Sequence, residues 1–236
     1  MRAVKGWTLP AVALAGAALG AAGAWGVDHL RAGGSVGPQV RAYLLAHPEV
    51  ITEAMGRLQD RESGKLVAAH RDQITRPYAG AWAGDPKGDV TLVEYFDYNC
   101  GYCRASLPVL AQLIERDPHL RVVYRELPIL AETSRAAARV SLAAAAAGPE
   151  RYRRFHAALY AAGPVTDATI AAAARTAGVD PARVPADADA EVNRNLEIAA
   201  RLNLSGTPSW IVGDRVLSGA QSLDALEDAI KAARGG

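Results

Sequence analysis

Cysteine is nearly missing from this chain of 236 residues: there are two, Cys100 and Cys103. A framework of structural disulfides cannot be built from them, and a zinc centre with its four ligands is excluded because no second Cys/His pair accompanies them. Charge of one sign is missing too. Lys and Arg total 26 against 25 acidic residues, a net charge of +1, so nothing invites a polyanion and nucleic-acid binding is not indicated. The cluster Arg151, Arg153 and Arg154 reads as a solvated helix face.

What is present centres on Val90–Cys103, V-T-L-V-E-Y-F-D-Y-N-C-G-Y-C. Val90, Leu92, Val93, Tyr95 and Phe96 form a nearly continuous apolar run, which suits a strand buried on both faces of a sheet. Beyond it, Leu107, Leu110, Leu113 and Ile114 recur at helical spacing, so Cys100 falls where a strand gives way to a helix. The first N–H groups of a helix lack intrahelical partners and its dipole favours negative charge. A thiol there is expected to be acidic and nucleophilic, with a pKa of roughly 3.5 to 7.5 against about 8.5 for free cysteine. Cys103, one turn on, faces the same way, and the pair can close a small disulfide ring without moving the fold. A C-x-x-C in this setting reads as redox-active. The alternative is a two-thiolate Cu(I) site.

Glu94 lies inside the same apolar run, where a carboxylate is costly unless it has a task or points to solvent at a strand edge. Desolvation would raise its pKa and let it exchange a proton with Cys103.

F-D-Y-N-C-G-Y-C, followed about a hundred residues later by S-G-T-P-S-W-I-V, resembles the DsbA-like branch of the thioredoxin superfamily, from about Asp85 to Ala233. The resemblance implies that Cys100 is the nucleophile, that Cys103 resolves the mixed disulfide and that Glu94 is the family's buried acid. It also implies that Thr207 and Pro208 match a Thr-Pro dipeptide whose proline is cis and packs against the disulfide. No cofactor and no metal are expected. Strongly oxidising members carry His between the cysteines where this chain has Tyr102, and a phenol supports a thiolate less than an imidazolium does.

The remaining segments fall into order around that domain. Residues 1–27 open with Arg2 and Lys5 and run uncharged from Gly6 to Val27, an export signal. Ala22-Gly23-Ala24 offers a cleavage site, while residues 6–27 are also long enough to stay as an inner-membrane anchor. Either way the catalytic part ends outside the cytoplasm, in the periplasm. Residues 28–37 read as a Gly-rich linker. Residues 38–75 are helix-prone, with a stripe of Val40, Leu44, Val50, Ile51, Ala54, Met55 and Leu58. The stripe has two candidate partners, its own domain or another copy of the chain. Y-L-L-A-H-P-E-V-I-T-E-A-M resembles the N-terminal extension of ScsC-like members, which implies a homo-oligomer through residues 38–75.

Residues 76–130 then form the first part of a thioredoxin-like domain, residues 131–204 an inserted helical domain, and residues 205–236 the second part. The fold class is α/β. Within it Ser134, Thr166 and Ser222 read as helix caps, Gly178 as a helix stop, Asp180-Pro181 as the start of a short helix, and Asp214-Arg215 as a tight hairpin turn. His156 reads as a packed or surface histidine. The expected activity is thiol-disulfide exchange, as oxidase or isomerase, on cysteine-containing substrate proteins, with a membrane redox partner.

Overall fold

The computed structural model describes residues 36–235. Residues 1–27, read as an export signal, and the linker as far as residue 35 lie outside them, while Val36 and Gly37, read as the end of the linker, open a helix. Among the described residues no helix is long and apolar enough to cross a membrane.

The chain divides after Gly56 into two compact units. The first holds α1 (Val36–Ala46) and the opening turns of α2 (Glu49–Ala69), which Pro48 separates. α1 buries no residue. The second unit begins at Arg57 and contains the rest of α2, α3 (Arg71–Thr75) and everything after it.

At the centre of the second unit is a five-stranded sheet of β1 (Trp82–Gly84), β2 (Val90–Phe96), β3 (Leu120–Glu126), β4 (Ser209–Val212) and β5 (Arg215–Ser218), in the order β1-β3-β2-β4-β5. β2 and β3 run parallel, from Val90 opposite Leu120 to Phe96 opposite Glu126, and every other pair is antiparallel. Parallel neighbours require a crossover, and α4 (Gly101–Arg116) supplies it. The helix runs through Pro108.

β2 is central, which explains its composition. Val90, Leu92 and Phe96 join a core with Leu110 and Leu113 of α4 and with Leu226 and Ile230 of α9 (Leu223–Arg234). Val93 and Tyr95 point the other way, onto Val67, Ile74, Ile198 and Leu202. A strand buried on both faces has no room for alternation, and each fully buried Val, Leu or Phe contributes about 1.5–3 kcal/mol. The second half of α2 and all of α3 thus belong to the sheet domain, since Val67 and Ile74 are wholly buried against it.

Four helices lie between β3 and β4: α5 (Glu132–Ala146), α6 (Pro149–Ala161), α7 (Asp167–Ala177) and α8 (Ala188–Arg201). Thr166 caps α7 and left-handed Gly178 ends it, and Ser222 caps α9. Three local expectations are corrected. Ala131, not Ser134, occupies the cap position of α5; Ser134 sits three residues in, and its hydroxyl is committed to Asp97 at 2.7 Å. No helix forms at Asp180-Pro181, where the Asp180 side chain instead accepts the Ala182 N–H in a turn. The β4–β5 turn is Gly213-Asp214, with Gly213 at φ +59°, and Arg215 is already paired with Val212.

Candidate active site

Cys100 closes the strand-to-helix turn as the cap residue of α4, its backbone extended at φ −82° and ψ 114°. That geometry turns its sulfur back over the first helical turn, where Sγ accepts the Cys103 N–H at 3.3 Å. The Cys100 thiol in turn donates to the Thr207 carbonyl at 3.1 Å. Pairing of β4 with β2, Ser209 opposite Tyr95, carries Thr207 to this position across 107 residues of chain. The Thr207–Pro208 bond is cis. Both cysteines are buried, and Tyr102 between them is 70 % exposed.

Glu94 is 2 % exposed in the middle of β2. Burial, and then the charge of Cys100, push its carboxyl up to about 8. Cys103 is pushed far above the usual thiol range, first by burial and next by the charge of Glu94. A buried acid and a buried thiol that each disfavour the other's charge titrate as a coupled pair. Cys100, Cys103, Glu94, Thr207 and Pro208 are therefore brought to one place at the C-terminal end of β2. Among the described residues no group of three or more His, Cys, Asp or Glu side chains could hold a metal ion.

Sequence reasoning passed over Asp97. Its buried carboxylate accepts the Asn99 N–H at 2.9 Å and the Ser134 hydroxyl at 2.7 Å on one oxygen, and the Ile129 and Leu130 N–H groups at 2.9 and 3.0 Å on the other. Its carbonyl takes the Cys100 N–H at 2.9 Å and the Tyr160 hydroxyl at 3.1 Å. The active-site turn is thereby tied to the segment before α5. The signal was an acid at the end of an apolar run, three residues before the first cysteine.

Residues 91–231 match the family model described as the DSBA-like thioredoxin domain. The chain belongs to that family. A second model, the N-terminal domain of the copper resistance protein ScsC, matches residues 35–63, a stretch without cysteine. Among solved structures, a thioredoxin-like oxidoreductase from Silicibacter pomeroyi DSS-3 is 37 % identical, with a TM-score of 0.66 over 70 % of this chain and 98 % of that one. A linker-deletion mutant of Proteus mirabilis ScsC is 28 % identical at a TM-score of 0.69, covering 85 % of this chain and 93 % of that one. The thiol-disulfide exchange protein alpha-DsbA2 from Wolbachia pipientis is 27 % identical at 0.68, over 74 % and 97 %. A curated relative, a Na(+)/H(+) antiporter NhaA 1 from Salinispora arenicola, is 28 % identical over 159 residues, 65 % of this chain. The chain spans about a quarter (24 %) of that protein's length. The DsbA-like fold, with four helices set between β3 and β4 and helices ahead of the sheet, is that of thiol-disulfide oxidoreductases with ScsC and DsbA neighbours.

Proposed function

We propose that this DsbA-like chain is an exported protein thiol-disulfide oxidoreductase that exchanges disulfides with substrate proteins through Cys100 and Cys103. The observation that carries the reading is the Cys100 sulfur, held between the Cys103 N–H and the Thr207 carbonyl with a buried acid behind it. In the reducing direction Cys100, having released its proton to solvent, attacks as the thiolate on one sulfur of a substrate disulfide and displaces the other as a thiolate. Cys103 then gives its proton to ionised Glu94 and attacks Cys100 sulfur. The second substrate sulfur leaves, two electrons have passed to the substrate, and Cys100 and Cys103 are joined. In the oxidising direction a substrate thiolate attacks Cys100, and protonated Glu94 supplies the proton that Cys103 needs as it leaves. Pro208 and the Thr207 carbonyl shape the groove in which the substrate backbone lies.

Replacing Cys103 by Ala should trap covalent adducts with substrate proteins through Cys100, whereas Cys100→Ala should trap none. The opposite pattern on non-reducing gels would reverse the assignment.

A periplasmic setting is supported by a periplasmic thioredoxin-like protein from Salmonella enterica, 29 % identical over 70 % of this chain and 96 % of that one. A membrane partner would restore the pair's redox state. The exposed apolar residues Val36, Val40, Tyr43, Leu45, Ile51 and Met55 support self-association through the N-terminal helices, and with it isomerase action.

A further inference from the structure

Behind the active-site turn is a second buried acid that the exchange reaction above does not use. Glu126, at the end of β3 and 1 % exposed, stands opposite Phe96, on the sheet face that also carries Glu94. Its Oε1 accepts the Ser141 hydroxyl at 2.8 Å, Ser141 Oγ lies 2.8 Å from the Tyr98 hydroxyl, and that hydroxyl lies 3.1 Å from His156 Nδ1. Rings close the surroundings: Phe96, Tyr124, Tyr152 and Tyr160 all pack on His156, with centroids 4.9–5.7 Å away. Among the described residues no protein group pairs with Glu126 Oε2 or His156 Nε2.

We propose that Glu126, Ser141, Tyr98 and His156 form a reversible proton relay, in which loading Glu126 reverses each hydrogen bond of the chain, exchanges the tautomer of His156 and adjusts the active-site turn through Tyr98. With Glu126 ionised, Ser141 donates to Oε1 and Tyr98 donates to Ser141. Tyr98 oxygen then accepts from His156 Nδ1–H. A proton arriving at Nε2 moves every proton one place along: Nδ1 gives to Tyr98, Tyr98 to Ser141, Ser141 to Glu126. One proton enters, Glu126 becomes neutral, and His156 is neutral at the start and at the end. Since only Nδ1 has a protein partner, the chain decides the tautomer.

The relay meets the cysteines at Asp97-Tyr98. Tyr98 precedes Cys100 by two residues, and Tyr160, one turn beyond His156, donates to the Asp97 carbonyl that also holds the Cys100 N–H. Glu126 is accordingly a positioning residue for the exchange reaction, and the inference rests on that reading. The titratable groups around Glu126 are Glu94 on β2, Tyr78 ahead of β1, Tyr98 on the turn, Tyr124 on its own strand and Tyr152, His156 and Tyr160 on α6. The Arg125–Glu191 ion pair adds one charge of each sign. Burial, opposed by the Ser141 hydrogen bond, pushes Glu126 up to about 7. Burial pushes His156 down to about 3, so its ring stays neutral while Glu126 titrates.

Nitrogen-15 spectra of histidine-labelled full-length protein provide the test. In the wild type the proton of His156 should pass from Nδ1 to Nε2 as pH falls through about 7. Glu126→Gln should hold one tautomer at every pH. Ser141→Ala should uncouple His156 while the acid still titrates, and it serves if the Gln variant does not fold. The pH profile of Cys100 alkylation should show an inflection near 7 that Glu126→Gln loses and Glu94→Gln keeps. A wild-type tautomer that does not change, or one that still changes in Glu126→Gln, overturns the relay. Failure of Cys103→Ala to trap substrate while the tautomer behaves as described would overturn the exchange reaction and leave the relay standing.

Discussion

The role proposed for Glu94 in exchange would come at a cost to stability. Its pKa rises from 4.5 to about 8 on folding, so the folded state binds its proton more tightly than the unfolded chain does. The stability it contributes is therefore greatest below pH 4.5, falls as pH rises to about 8, and is level above that. Glu94→Gln removes the ionisation and nearly preserves volume. Urea midpoints of the variant and the wild type should diverge progressively across that window in the variant's favour, by several kcal/mol at most since one pKa unit is about 1.4 kcal/mol. Rates should move the other way. At neutral pH the variant should open its active-site disulfide ~10²-fold more slowly, because Cys103 leaves without its proton donor. Closure should lose the rise near pH 8 expected of the wild type as Glu94 ionises. Equal midpoints at all pH values, with unchanged rates, would mean that folding leaves the proton affinity of Glu94 unchanged and that it takes no part in the exchange.

Elements were legible in the sequence wherever their signals are local. The doubly buried strand, the C-x-x-C at the head of its helix, Thr166 and Ser222 as caps and Gly178 as a stop all depend on residues within one turn of each other. Ser134 was not legible as a partner of Asp97, because its hydroxyl is claimed from 37 residues away. Nor was Arg125, which sits in a strand that reads as apolar. Its guanidinium is 4 % exposed, pairs with Glu191 at 2.5 Å and donates to the carbonyls of Gln73, Ile74 and Arg76. These are the last carbonyls of α3 and its exit, groups that a helix end leaves without partners. Arg125 therefore fastens α3 to the sheet. Arg125→Met should cost about 3 kcal/mol, because the buried Glu191 carboxylate keeps only the half-exposed Arg194 as a partner and three carbonyls lose a donor. Replacing Glu191 by Leu in the same chain should recover part of the loss. Limited proteolysis should cut the single variant between residues 73 and 80 first. Protection of that segment in Arg125→Met would show that Val67 and Ile74 alone hold α3 in place.

At the scale of the whole molecule, the segment expected to act as one extension over residues 38–75 is divided by the structure. Residues after Gly56 lie in the unit of the sheet, with Val67 and Ile74 at 0 % exposure. Residues before it leave Val36 66 %, Leu45 65 % and Met55 62 % exposed. Apolar side chains repeated along unburied helices favour burial against another surface, and a second copy of the chain offers a matching one. An oxidase needs one site for one unfolded substrate. An isomerase gains from several, because a tethered second thiol acts at an effective concentration of roughly millimolar with no new contact. A chain beginning at Arg57 should thus stay folded and monomeric and still reduce a simple disulfide, while losing most of the rescue of scrambled substrates expected of the proposed oligomer. Removal through Thr75 would strip Val67 and Ile74 and should destabilise the domain itself. Light scattering that finds the full-length chain monomeric at micromolar concentration would remove the basis for isomerase action, and the proposed exchange at Cys100 and Cys103 would then work one site at a time.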